Sequence, residues 1–318
     1  MSDSSRLFPV QASVGAVKTD TLFLGLLAFA TVIALIVLAL VVGFAVRYRK
    51  GSPAPRGPLP RLLDRQVEIG WTAATAFAAL FIFWWASSIQ LVALNPPKNA
   101  LEIHVVGKQW MWKTQHPSGA REINALHAPV NTPVKLVMTS QDVIHSFFVP
   151  AFRMKQDVVP GRYTETWFNA TKLGTYPLYC SEFCGTDHSL MTGEVIVMPA
   201  SDYARWARAQ PNADTLADQG RGIFSALGCS GCHGSTAKVP APPLAGLYGR
   251  SVVLADHRTV RADEQYLRDS ILLPNKDVVA GYDPIMPAYQ GVAGEDDVIA
   301  LVAYLKSLSP SSHEEAAR

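Results

Sequence analysis

The run Cys180-Ser-Glu-Phe-Cys184-Gly-Thr-Asp-His188-Ser-Leu-Met191, with His145 upstream, gathers two thiols, two imidazoles and a thioether. Soft sulfur combined with imidazole selects copper or zinc, and a methionine favours copper. A single tetrahedral ion has room for about four of these ligands. Two four-coordinate ions need about eight metal–ligand bonds. Bridging Cys180 and Cys184 would supply four, His145 and His188 two, Met191 one, and a backbone carbonyl between the cysteines the last. A binuclear copper site therefore uses every candidate. A structural zinc, or a mononuclear blue-copper site with one cysteine to spare, is the alternative. Around this run the chain alternates apolar and polar residues, as in Glu102-Ile-His-Val-Val, Pro133-Val-Lys-Leu-Val-Met and Gly193-Glu-Val-Ile-Val-Met. That period, punctuated by glycine and proline, predicts short antiparallel strands of a sandwich or small barrel over 97–200.

Downstream the texture changes. Ser201–Arg208 reads as a short helix, and Gln210-Pro-Asn-Ala-Asp as part of a linker over 201–213. Helical patterns follow at Thr215–Leu227, Glu264–Leu272 and Asp296–Leu308, separated by the Pro- and Gly-rich loops Pro240–Arg250 and Ala280–Gly291. The first pattern leads directly into Cys229-Ser-Gly-Cys232-His233, the attachment motif of c-type haem, with two thioether links and His233 as proximal ligand. Met286 is the only methionine after His233 and is the expected sixth ligand, with His257 as its competitor. A thioether in that position raises the haem potential. This predicts an all-α domain over 214–309, followed by a polar tail over 310–318. The two motifs use all four cysteines. Disulfides do not require the histidine that follows each pair, so ligands are the better reading.

No charged residue occurs from Thr21 to Val46 or from Ile69 to Pro97. Each run exceeds the roughly 20 residues needed to cross about 30 Å of hydrocarbon. A membrane hairpin is expected over 21–96, with helices at about 21–46 and 69–94 and with 1–20 as an external segment. The connecting loop carries Arg47, Arg49, Lys50, Arg56, Arg61 and Arg65 against Asp64 and Glu68. The positive-inside rule makes this loop cytoplasmic and places both termini and everything after the second helix outside. The segment before Thr21 lacks the pattern of a cleavable signal peptide. The two apolar runs imply membrane lipid as a partner, and a net charge of +2 implies no polyanionic partner such as nucleic acid.

The copper loop, Val67-Glu-Ile-Gly-Trp-Thr72, Gly107-Lys-Gln-Trp-Met-Trp112, Asp142-Val-Ile-His-Ser-Phe147 and Pro160-Gly-Arg162 occur in one order. On these motifs the chain resembles subunit II of haem–copper cytochrome c oxidases from about Phe8 to Met198. The resemblance implies a cupredoxin-like barrel carrying the dinuclear copper-A centre, with Glu182 lending its backbone carbonyl. It also implies that the Glu182 side chain reaches a magnesium at the contact with subunit I. Trp110 matches the electron-entry tryptophan, and Glu68 the glutamate at the mouth of a proton-conducting path; Trp112 is read as structural. Unlike many members, the chain has no proline shortly after Trp71-Thr72. His104 and His116 match no ligand position and read as surface or turn histidines.

From about Asp214 to Ser309 the chain resembles class I cytochromes c, through the haem motif, Pro243-Leu-Ala-Gly-Leu-Tyr-Gly-Arg250 and the closing helix. The fusion order is that of caa-type bacterial oxidases. It implies an electron-entry subunit that takes electrons from a cytochrome c or another high-potential donor. They would pass from haem c to copper-A and on to subunit I, where oxygen is reduced to water with proton pumping. Subunit III is a further expected partner and the bacterial inner membrane the expected location. An electron-transfer subunit of a copper-A-containing nitric oxide reductase is the alternative, against which Glu68 and Glu182 argue. A membrane-tethered redox carrier or copper-delivery protein is a non-enzymatic rival, less suited to two membrane helices and a haem.

Overall fold

A computed structural model describes residues 8–55, 57, 60–210, 215–234, 237 and 239–309. The tail expected over 310–318 lies outside the described residues.

Two helices open the chain, α1 (Val14–Arg47) and α2 (Arg61–Ala93), both long and apolar enough to cross a membrane. Their apolar spans are not buried inside the protein, which leaves them to lipid or to other membrane helices. Each begins earlier than the uncharged run within it. Helix α1 starts where the Ser13 side chain accepts from the Ala16 N–H, because an oxygen at this position satisfies an amide that has no partner inside the helix. Its first turns carry Lys18 and Asp20, and Asp20 forms a bidentate pair with Arg153 of the β domain (2.8 Å for each bond). The other helix is anchored by Trp167, whose Nε1–H donates to the Val92 carbonyl at 3.1 Å.

The β domain is a sandwich of ten strands. They are β1 (Leu101–Lys108), β2 (Met111–Gln115), β3 (Arg121–Ile123), β4 (Ala125–Pro129), β5 (Pro133–Ser140), β6 (His145–Val149), β7 (Met154–Val158), β8 (Thr164–Asn169), β9 (Gly174–Cys180) and β10 (Thr192–Met198). One sheet has the order β3-β2-β1-β5-β8 and the other β4-β10-β9-β6-β7. The expectation of antiparallel strands needs correcting for two pairs, because β1 with β5 and β10 with β4 run parallel. Neighbours in space there are not neighbours in sequence, since the chain changes sheet between them. Alternating side chains from both inner faces, including Ile103, Trp112, Leu136, Phe147 and Leu178, form one core.

Helix α3 (Ala200–Arg208) packs back on the sandwich. Tyr203 and Trp206 cover His116, and Trp206 stacks on His127 with ring centroids 4.4 Å apart. Glu122 binds both histidines, at 2.8 Å for His116. His116 is therefore fully buried, not a surface residue. His104 is also buried, 4% exposed, because the outer face of β1 is covered by the last domain.

That domain contains α4 (Leu216–Ala226), the short α5 (Ser230–His233), a hairpin of β11 (Ser251–Val253) and β12 (Thr259–Arg261), α6 (Glu264–Leu272) and α7 (Glu295–Ser307). The small hairpin is an addition to the expected helical pattern. Helices α4 and α7 make close backbone contact at Gly220, where an added Cβ would lie 1.9 Å from the Ala300 carbonyl oxygen. No residue with a side chain fits that approach.

Candidate functional site

The ligand run of the opening motif forms the hairpin loop between β9 and β10. The Cys180 N–H donates to the Met191 carbonyl (3.1 Å) and closes the loop, while the Ser181 N–H donates to Ser146 (2.9 Å) and ties it to β6. His145 begins β6 and so faces the loop from the adjacent strand. This brings His145 Nδ1 to 3.9 Å and Cys184 Sγ to 3.7 Å from Cys180 Sγ. His188 Nδ1 and Met191 Sδ lie 3.5 and 3.8 Å from Cys184 Sγ. The Glu182 carbonyl oxygen is 3.2 Å from Cys180 Sγ. Donor atoms from all six residues named in the sequence thus converge. His145, Cys180, Cys184 and Met191 are buried, and His188 is half-buried.

The protonation of the thiols fits a cation. Burial pushes the Cys180 thiol up, but contacts with His145, Glu182 and nearby backbone outweigh it and bring the thiol below its ordinary range. Cys184 goes the other way, raised by burial and by the charge on Cys180. Two thiolates at this spacing repel in a dry site, and bound positive charge removes that obstacle. Soft donors at this density suit copper.

Two residues not assigned a role in the sequence reading complete the site. Asp142 Oδ1 lies 2.7 Å from His145 Nε2, so a carboxylate sets the ring and turns Nδ1 toward the sulfurs. Asp142 is itself held by the Gln109 N–H at 2.7 Å, and Gln109 Nε2 donates to the Cys184 carbonyl at 2.8 Å. Asp142 stood inside a motif already quoted, but three residues along an unassigned loop carry no sign of an imidazole–carboxylate contact. Gly107 lies beneath the ring, where an added Cβ would sit 2.9 Å from His145 Cδ2.

Trp110 is half-buried at the β1–β2 turn and donates from Nε1 to the Cys184 carbonyl (3.2 Å). Trp112 points into the core, its ring centroid 6.0 Å from that of His145. The Glu182 side chain is exposed. Glu68 is not brought to this site. It lies near the Arg61 end of α2, whereas Val92 near the other end meets the β domain, a separation of roughly 36 Å along the helix.

The second site is a crevice of about 480 Å³ in the last domain. Cys229, Cys232, His233 and Met286 line it together with Phe224, Leu244, Leu267 and Leu301. Its volume and apolar walls are those of a cofactor site. His233 Nδ1–H donates to the Pro242 carbonyl (3.2 Å), which leaves Nε2 free as a ligand. His257 sits on the exposed β11–β12 turn and does not line the crevice, so Met286 is the sulfur donor in place. The residues present fit a haem.

Comparison with known proteins identifies both domains. Residues 118–199 match the family described as cytochrome c oxidase subunit II, periplasmic domain, and residues 217–309 match cytochrome c. Cytochrome c oxidase subunit 2 of Thermostichus vulcanus is 30% identical over 255 residues, covering 64% of this chain and 78% of that protein. Cytochrome c oxidase subunit 2 of Alkalihalophilus pseudofirmus is 33% identical over 220 residues, covering 66% of this chain and 62% of that protein. The alternative cytochrome c oxidase subunit 2 of Bradyrhizobium diazoefficiens is 30% identical over 200 residues, covering 52% and 70%. With two membrane-length helices, a cupredoxin-like sandwich and a cytochrome c domain in series, the chain belongs to the cytochrome c oxidase subunit II family.

Proposed function

We propose that this chain is the electron-entry subunit of a terminal cytochrome c oxidase in a bacterial inner membrane, with both redox domains on the external side. In this reading Cys229 and Cys232 hold haem c through thioether links, and His233 and Met286 are its axial ligands. His145, Cys180, Cys184, His188, Met191 and the Glu182 carbonyl hold a binuclear copper-A centre. When bound, these groups supply one-electron redox chemistry between a cytochrome c or other high-potential donor and subunit I, where oxygen is reduced to water and protons move outward.

The observation that carries the reading is the convergence of four further donors around two cysteine sulfurs 3.7 Å apart. The chain's own residues do the rest. Asp142 fixes the His145 ring, and Gln109 and Trp110 both hold the Cys184 carbonyl, so the ligand loop is braced from the β1–β2 turn. Bracing and burial exclude water and limit rearrangement when the charge of the site changes by one. Trp110 links the domain surface to the ligand loop and is the proposed entry residue. The exposed Glu182 carboxylate is free to serve a magnesium at the contact with subunit I. Glu68, at the far end of α2, stands on the side from which pumped protons are drawn. Helices α1 and α2 present their uncovered apolar sides to subunit I, with subunit III as a further neighbour.

Turnover by the complex purified from native membranes tests this. Supplied with reduced cytochrome c and offered oxygen or nitric oxide in parallel, it is expected to consume oxygen rapidly and acidify the outside. Fast nitric oxide reduction with little oxygen uptake would reject the reading.

A further inference from the structure

The cytochrome domain rests on the outer face of the β3-β2-β1-β5-β8 sheet, and the seam is polar at its centre. Lys306 Nζ lies 2.7 Å from Glu102 Oε1 and 2.8 Å from Glu264 Oε1, so one cation on α7 bridges a carboxylate on β1 and another on α6. Gln115 donates to Asp296 (2.8 Å), Arg268 to the Gly161 carbonyl (3.2 Å), and the Tyr163 N–H to the Gln265 side chain (2.7 Å). Apolar contact centres on a small cluster of Val106, Leu216 and Ile299 with Ala303. Among the described residues, three buried polar atoms here, His104 Nδ1, Gln115 Oε1 and Tyr163 Oη, have no hydrogen-bond partner. Unpaired atoms cost stability in a permanent core. Charged, imperfectly paired seams within a chain resemble separable association surfaces.

The helices of this seam carry the crevice on their other side. At about 100° per residue, Leu301 and Leu305, which line the crevice, fall opposite Asp296, Ile299 and Lys306, which meet the sheet. Helix α6 divides similarly, with Leu267 and Ser270 toward the crevice and Gln265 and Arg268 toward the sheet. A layer of helices therefore separates the crevice from the cupredoxin domain. At the rim of the copper loop, Phe183 and Leu190 remain 77% and 71% exposed. The crevice thus lies on the side of these helices away from the sheet, while the loop beside half-buried Trp110 stays exposed at Phe183 and Leu190.

We propose that this arrangement is a latched, donor-facing state. The Glu102–Lys306–Glu264 bridge holds the cytochrome domain while its crevice is loaded, and the domain then leaves the seam to bring the crevice mouth to Trp110. This rests on the electron-entry reading. With haem held by Cys229, Cys232, His233 and Met286 and copper held by the Cys180–Met191 loop and His145, each swing would carry one electron from the first site to the second, with no bond made or broken.

Distances between spin labels at Lys172→Cys and Thr259→Cys, measured in the intact complex, test the latch without reference to turnover. The wild-type seam is expected to give one major distance and a minor second population. Replacing Gln115→Ala removes a bond made only across the seam. Glu102→Gln in a separate protein weakens the Lys306 bridge together with Glu102's pairs to His104 and Lys135 inside the β domain. Each is expected to raise the second population on the order of tenfold. A single unchanged distance in both variants overturns the proposal. A short bismaleimide bridge between Gln115→Cys and Asp296→Cys then holds the latch shut. It is expected to leave reduction of the haem by an external donor unchanged and to slow reduction of the copper pair at least about tenfold. Unchanged copper reduction in the bridged protein also overturns the swing. Absence of haem-to-copper transfer before bridging would instead reject the electron-entry reading.

Discussion

Replacing Gly220 by alanine adds one methyl group at the contact of α4 and α7. The new Cβ would lie 1.9 Å from the Ala300 carbonyl oxygen and 2.8 Å from Tyr304 Cβ, where ordinary contact begins at 3.4 Å. The obstacle is backbone inside a helix, which cannot rotate away, so the two helices must part by about 1.5 Å. Gaps of 0.5–1 Å already forfeit roughly a quarter to a half of a dispersion contact, and overpacking typically costs about 1–3 kcal/mol. Alanine's better helix propensity returns about 1 kcal/mol. With the obstruction at the severe end, a net loss of about 2 kcal/mol follows, or roughly 8–16 °C in Tm for a domain of this size. Thermal unfolding of the holoprotein, followed by haem absorbance and circular dichroism, reads this directly. Gly222→Ala on the same helix is the control, since nothing lies within 4 Å of its added Cβ. It is expected to gain up to about 1 kcal/mol. If Gly220→Ala unfolds at or above the wild-type temperature, the proposed crossing of α4 and α7 is wrong.

Three further outcomes are expected. Asp142→Asn leaves every copper donor in place but weakens the hold on the His145 ring, so copper affinity falls about 10- to 100-fold in competition with a chelator; unchanged affinity would show that the contact is incidental. Cys184→Ser removes a bridging donor, and metal analysis is expected to find the copper pair lost; retention of two coppers per chain would refute bridging. Burial works against ionisation of Glu102, but His104 and Lys306 override it and hold the carboxyl well below its usual range; Glu264 is lowered too, with Lys306 overcoming its burial. Carboxylates depressed in this way contribute stability above the ordinary Glu pKa of about 4.3 and lose it only as pH falls through the folded value. The seam, monitored by hydrogen exchange of α7, is therefore expected to stay closed from pH 8 to 5 and to open only below about 4; opening between pH 7 and 5 would contradict the assignment.

Much of the site was legible because its chemistry is local. Cys180 through Met191 lie in one hairpin loop, and Cys229, Cys232 and His233 occupy adjoining helical turns, so spacing alone brings those donors close. The membrane helices were legible from composition, since an uncharged run of that length has few alternatives to lipid. The strands β1, β5 and β10 declared themselves by period, which states that one face is apolar. Period does not state what covers the other face. That is why a surface position fails for His104, buried on the outer side of β1 beneath the cytochrome domain, and for His116, which does head a turn but lies beneath Tyr203 and Trp206. Sheet order likewise brought Gln109 and Asp142 to the copper loop and made β1–β5 and β10–β4 parallel. Residue type and local spacing specify which atoms can bind; contacts between distant segments depend on how two apolar faces close on each other, a property of the packed whole that no short window of the chain contains.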